Sequence, residues 1–291
     1  LNTLNLYHNQ LTTLSFPDGL ENLVSLDLSG NRLTDFEFLD KLSGLRSLAL
    51  RANQLTSLSL PEGLSQLTSL DLAVNELTDL GFAENLNELR SLNLAINPLI
   101  NFYLPENLRT LVNLDLHQTP LVSFSLPKHF HALSDLNLQA TSIPELTLPE
   151  GLTGLTMLEV GGNALTNLVL PGSMTNLASL IIRNSGLNSI QLPEDLTSLS
   201  ELDLGGNELD TFSLPEGLGN LTSLNLGRNR LNHVHLPSDL NSLSSLSVHF
   251  NQFASLALPE GLVELTELYL NDNPLTDVTF QDDMLRLTTL D

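Results

Sequence analysis

Cysteine is absent from the 291 residues, which removes disulfides, thiolate metal sites and cysteine nucleophiles together. Basic residues are scarce: 11 Lys and Arg stand against 34 Asp and Glu, a net charge of -23. Such a field repels nucleic acid and anionic lipid, whose binding depends on neutralising phosphates, so neither is expected as a partner. No apolar run approaches the roughly 20 residues of a membrane-spanning helix, and the mean hydropathy is only +0.08, so no membrane insertion is expected. No G-x-S-x-G, phosphate-cradling loop or H-E-x-x-H occurs, and no Ser, His and Asp stand in a spacing that suggests a triad. The chain is therefore read as non-catalytic, with no cofactor and no metal. The paired histidines His129/His131 and His233/His235 lack a third ligand at a recognisable spacing.

What the sequence does have is a period. Leucine recurs every 22 residues, from Leu4, Leu26 and Leu48 through to Leu268 and Leu290, and a second unbroken row runs three residues earlier from Leu1 to Leu287. The chain thus holds 13 full 22-residue repeats plus a partial one, organised as a single array over residues 1–291. A repeat array escapes the size limit of a single globular core, because each coil packs only on its neighbours. Within a coil, Leu70 and Leu72 alternate with Ser69, Asp71 and Ala73, the period of a strand with one buried face. Repetition in phase stacks these strands as a parallel sheet, and the rest of each coil supplies a right-handed crossover. A second alternation, Leu58 and Leu60, predicts a short strand in the crossover. Pro61-Glu62-Gly63-Leu64 then predicts a 3₁₀ or helical turn, with Pro at its start and Glu facing the positive end of the turn.

The segment 67–77 has the form L-x-x-L-x-L-x-x-N-x-L, and its counterparts fill the chain, so the sequence resembles the leucine-rich-repeat family. The second half of the coil, Leu58-Ser59-Leu60-Pro61-Glu62-Gly63-Leu64, resembles repeats of bacterial members. The resemblance implies an α/β solenoid: a right-handed horseshoe or arc with the parallel sheet on its concave face, and short strands and 3₁₀ or helical turns on the convex face. It also implies an inward-turned asparagine ladder, here Asn9, Asn31, Asn53, Asn75, Asn97, Asn163, Asn207, Asn229, Asn251 and Asn273, interrupted by Thr119, Thr141 and Ser185. Neither end carries the polar cap that solenoids need, so a fragment of a longer array, uncapped at both ends, is expected.

Two acidic rows stand out. Asp18, Asp40, Glu62, Glu84, Glu106, Glu150, Glu194, Glu216, Glu260 and Asp282 lie beside the turn start and read as solvated scaffold. Asp27, Asp71, Asp115, Glu159 and Asp203, spaced 44 residues apart, fall at the exposed centre of alternate strands, where skipping a coil keeps like charges apart. Residues 22 apart are neighbours in a stacked sheet, which brings together Arg228, Phe250 and Asp272 with His249 and Tyr269 beside them. Exposed aromatics bordered by arginine match the residue types that dominate interfaces, so this is the first candidate binding cluster. Tyr7, His8, Asp27 and Arg51 form the second. The expected function is a scaffold that binds a protein or peptide through the concave face, with a surface polysaccharide as the other ligand class. The alternatives are a spacer or stalk in a bacterial surface protein and the substrate-recruiting region of a larger enzyme. A secreted or cell-surface bacterial location fits these readings, and the pattern specifies neither the partner nor the oligomeric state.

Overall fold

The structure is a computed structural model describing residues 1–291. It is a solenoid of parallel-stacked turns that divides into two compact units, Leu1–Ser142 and Ile143–Asp291. In the first unit the main sheet has seven strands, Thr3–Asn5, Ser25–Asp27, Ser47–Ala49, Ser69–Asp71, Ser91–Asn93, Asn113–Asp115 and Asp135–Asn137. In the second it has Met157–Glu159, Ser179–Ile181, Glu201–Asp203, Ser223–Asn225, Ser245–Ser247, Glu267–Tyr269 and Thr289–Leu290. Thirteen of the fourteen are the expected one per full coil, and the last belongs to the partial coil. The pairing is parallel and in phase, Leu48 opposite Leu70 and Leu70 opposite Leu92, so each leucine row becomes a continuous stripe of core. Leu67, Leu70, Leu72 and Leu77 of one coil are all buried. Removing that apolar surface from water stabilises the stack by about 25 cal/mol per Å², and only a neighbouring coil can cover it.

Each strand ends in the same device. The residue before the asparagine row has φ between 50° and 70° in every full coil, from His8 through Val74, Ile96 and Arg228 to Asp272. This left-handed corner turns the next side chain inward. Asn75 shows the result: its Nδ2 donates to the Leu50 carbonyl of the preceding coil (3.0 Å) and the Leu72 carbonyl of its own (2.9 Å), while its Oδ1 accepts from the backbone N–H groups of Asn53 and Leu55 (both 3.0 Å). A buried amide is tolerated only when so satisfied. At the interruptions the Thr119 hydroxyl donates to its own coil's Leu116 carbonyl (2.5 Å), and the Ser185 hydroxyl reaches back to the Val160 carbonyl (3.2 Å).

The crossovers depart from the expectation of helical turns throughout. No α-helix forms, and 3₁₀ turns occur only at Glu37–Lys41, Glu62–Leu64, Gly81–Ala83 and Glu106–Leu108, all in the first unit. The short crossover strand expected from the Leu58/Leu60 alternation does form in the second unit, as the parallel pairs Glu145–Thr147 with Asn167–Val169, Thr211–Ser213 with His233–His235, and Ser255–Ala257 with Asp277–Thr279. The glycine of the Pro-Glu-Gly turn explains part of the missing 3₁₀ turns. Gly151, Gly217 and Gly261 sit at φ of 94°, 90° and 93°, outside the helical region, whereas Gly63 forms part of a 3₁₀ turn. The N–H of Gly217 donates to Asp239 Oδ2 of the next coil (2.6 Å) and that of Gly261 to Asp283 Oδ2 (2.8 Å), which fixes the left-handed turn.

Candidate functional site

The solvent-facing side of the main sheet is built from three positions per coil: the residues before and after the central leucine, and the residue at the strand exit. The position after the leucine has a local task. Asp27, Asp71, Asn93, Asp115, Asn137, Asp203 and Asn225 each accept, through Oδ1, the backbone N–H two residues on, at 2.9–3.1 Å. Asp and Asn are the side chains of the right length for that turn. The four aspartates of the 44-residue acidic row, Asp27, Asp71, Asp115 and Asp203, thus belong to a row of turn-forming residues, which Glu159 does not join. Asp203, expected at an exposed position, is instead buried at 6% exposure. Arg183 Nε lies 2.7 Å from its Oδ2, and Asn225 Nδ2 donates to both its oxygens, which compensates the loss of water.

The first candidate cluster assembles in the second unit. The Arg228 guanidinium lies over the Phe250 ring, 4.6 Å from its centroid, and the His249 ring meets Phe250 edge-on with centroids 5.6 Å apart. Arg228 and Phe250 both occupy the left-handed corner, at φ of 57° and 50°. Phe250 keeps 42% of its surface exposed. His249 leans back over the preceding coil, where Gly227 leaves it room: a Cβ at Gly227 would overlap the imidazole. Ser247 Oγ holds His249 Nδ1 at 2.5 Å, leaving Nε2 as the ring's other hydrogen-bonding atom. Burial, and then the Arg228 guanidinium, hold the imidazole below its ordinary range, while the Asp272 and Asp291 carboxylates act the other way. His249, Tyr269, Ser247 and Asn271, with Arg183, Glu201, Asp203 and Asn225, line a groove of about 530 Å³. Asp272 stands outside this lining, exposed, with Oδ2 accepting from Asn271 Nδ2 (2.8 Å).

The second candidate cluster is looser. Tyr7 and His8 are in ring contact, centroids 5.5 Å apart, and Tyr7 is 57% exposed. The carboxylate of Asp27 caps the Ser29 N–H (2.9 Å), and Arg51 is exposed, its backbone carbonyl accepting from Gly30. Sequence reasoning missed Ser247, Asn225, Arg183 and Gly227. The signal available for Gly227 was its place 22 residues before His249, where a missing side chain makes space for a ring.

Residues 1–41 match the family described as Leucine Rich repeats (2 copies), and residues 116–224 and 183–289 match the BspA type Leucine rich repeat region (6 copies). The chain belongs to the leucine-rich-repeat family. This leucine-rich-repeat array is similar in structure to a leucine-rich-repeat protein of Leptospira interrogans, 26% identical with a TM-score of 0.78, over 99% of this chain and 76% of that one. It also matches an internalin from Listeria monocytogenes, 23% identical with a TM-score of 0.67, over 94% of this chain and 87% of that one, a likeness of fold alone. No curated protein sequence is significantly similar. A third structure qualifies the expectation about nucleic acid. The TLR13–ssRNA complex matches with 26% identity and a TM-score of 0.67, over 86% of this chain and 44% of that one. Leucine-rich-repeat architecture is therefore compatible with RNA, and the argument against nucleic acid rests on this chain's charge of -23 and not on its fold.

Proposed function

We propose that this leucine-rich-repeat array is a non-catalytic scaffold that binds a protein or peptide partner in the groove on the main sheet of its second unit. The observation that carries the reading is the His249–Phe250–Arg228 assembly at the groove's edge: two exposed or half-buried rings and a guanidinium, held in fixed geometry, with Tyr269 alongside. Rigid aromatics and arginine are the side chains that concentrate binding energy in protein interfaces. The Ser247–His249 contact does not argue for a nucleophile and base. The same spacing recurs at Asp115 and His117, where Oδ1 lies 2.8 Å from Nδ1, so it is a local pairing of residues two apart on a strand. A base in a catalytic pair is oriented by a third group, and Nδ1 is here already engaged by the serine. The bacterial type of the repeats supports a bacterial source, and within this reading the protein is secreted or displayed at the cell surface, which protease shaving of intact cells would test.

Gly227→Ala tests the groove without touching an exposed side chain. The added Cβ displaces the His249 ring, so partner binding falls while the far-UV spectrum and the melting temperature stay close to those of the parent. Unchanged binding by Gly227→Ala would show that the ring's placement is irrelevant to the partner.

A further inference from the structure

The second unit holds 19 of the 34 acidic residues and four arginines, Arg183, Arg228, Arg230 and Arg286. Three of the four lie beside a carboxylate: Arg183 pairs with Asp203 (2.7 Å), Arg230 with Glu208 (3.1 Å), and Arg286 with Glu264. Arg228 is the exception. It has no carboxylate oxygen within 4.0 Å, and its guanidinium carbon instead lies over the Phe250 ring, 4.6 Å from the centroid. A contact with a ring uses none of the guanidinium's N–H donors, and that fork of donors matches a carboxylate in a two-point contact. The residue is exposed and stands beside the groove's lining, just after Ser223–Asn225, an inner one of the four strands, Glu201–Asp203 to Glu267–Tyr269, that carry most of that lining.

From this we infer that Arg228 is the receptor for an Asp or Glu side chain of the partner. The inference rests on the reading of the groove as a binding face. A segment long enough to span these four strands passes the coil of Arg228 between its ends, so the carboxylate it meets there belongs to a side chain and not to a chain end. The partner segment carries that acidic residue singly. The unit's remaining carboxylates repel further negative charge, and at physiological salt this repulsion is screened only beyond about 8 Å. Glu201 and Asp203 in the groove itself favour neutral or basic residues on either side of the contact. His249 Nε2 and the Tyr269 hydroxyl, both in the lining, offer polar contacts to an extended main chain.

The test uses the full chain and a positional-scanning library of C-terminally amidated decapeptides. Each bound peptide is resynthesised with its acidic residue changed to Asn or Gln, and affinities are read by fluorescence anisotropy for the parent, Arg228→Gln, Arg228→Lys and Tyr269→Ala. The expected result is enrichment of one central Asp or Glu, with at least a tenfold loss on either the peptide's change to the amide or Arg228→Gln. Combining the two changes should add little further loss, and Arg228→Lys should recover only part of the affinity. Peptides that bind without acidic preference, and lose affinity on Tyr269→Ala but not on Arg228→Gln, would overturn the inference while leaving the groove as the binding face. Enrichment only of peptides remade with a free C-terminus would overturn it in favour of a chain-end carboxylate. Absence of any binding peptide would remove both readings.

Discussion

Replacing Asn75 by alanine should be among the most damaging single changes in the first unit, although the side chain removed is small and polar. Two of its four good hydrogen bonds are backed up: the Leu50 carbonyl also accepts from Asn53 Nδ2 (3.1 Å), and the Leu72 carbonyl from Asn97 Nδ2 (3.0 Å). The other two are not. The N–H groups of Asn53 and Leu55 give their hydrogens to Asn75 Oδ1, at positions closed to water, and alanine leaves both without an acceptor. An orphaned buried donor costs about 1–3 kcal/mol, so Asn75→Ala should cost about 2–5 kcal/mol. Asn9, at the exposed start of the same row, donates to the Leu6 carbonyl, which Asn31 also reaches, and Asn9→Ala should stay within about 0.5 kcal/mol, as surface changes do. Asn75→Thr should fall between them, because a hydroxyl restores one acceptor. Urea titration followed by far-UV circular dichroism measures all three, and the slope must stay constant for the comparison to hold in a repeat array. A loss below 1 kcal/mol for Asn75→Ala at unchanged slope would refute the ladder as the organising bond network.

Ile96 sits in the left-handed corner at φ 56° with 37% of its surface exposed, a position costly for a β-branched residue. Ile96→Asn should therefore raise stability by about 1 kcal/mol, and a lower urea midpoint would contradict the strain. His249 gives stability a pH dependence. The folded protein holds the imidazole below its ordinary value near 6.5, through burial and Arg228 against Asp272 and Asp291, so the unfolded chain takes up the proton first. Its contribution is complete above about pH 6.5, is lost as pH falls through that value towards the folded one, and then levels off. His249→Gln should flatten this part of the stability profile; an unchanged profile would mean that other groups produce it.

Much of the fold could be read from single residues because the repeat puts the same chemistry at the same position in each full coil. Leu4 to Leu290 predict the parallel register, and the asparagine row needed only the family resemblance to be placed inside. The crossovers were less legible. Pro-Glu-Gly occurs both within a 3₁₀ turn, at Gly63, and at left-handed bends, at Gly151 and Gly217, where the glycine N–H donates to a side chain of the next coil, Ser173 Oγ or Asp239 Oδ2. Asp203 shows the same limit. Its neighbours in the row, Asp71 and Asp115, are only half-buried, but Arg183 one coil before and Asn225 one coil after close over it. The candidate cluster was legible as a neighbourhood, since 22-residue spacing places Arg228 beside Phe250. The lean of His249 across Gly227 was not, because it depends on the direction of a side chain between coils.

The account stands most directly on where the partner binds. Calorimetric titration of the tightest decapeptide should show Phe250→Ala and Tyr269→Ala each weakening binding about fivefold or more, the equivalent of 1 kcal/mol, with Glu62→Ala on the crossover side without effect. Loss of binding on Glu62→Ala, with both aromatic changes neutral, would contradict a binding face on the main sheet.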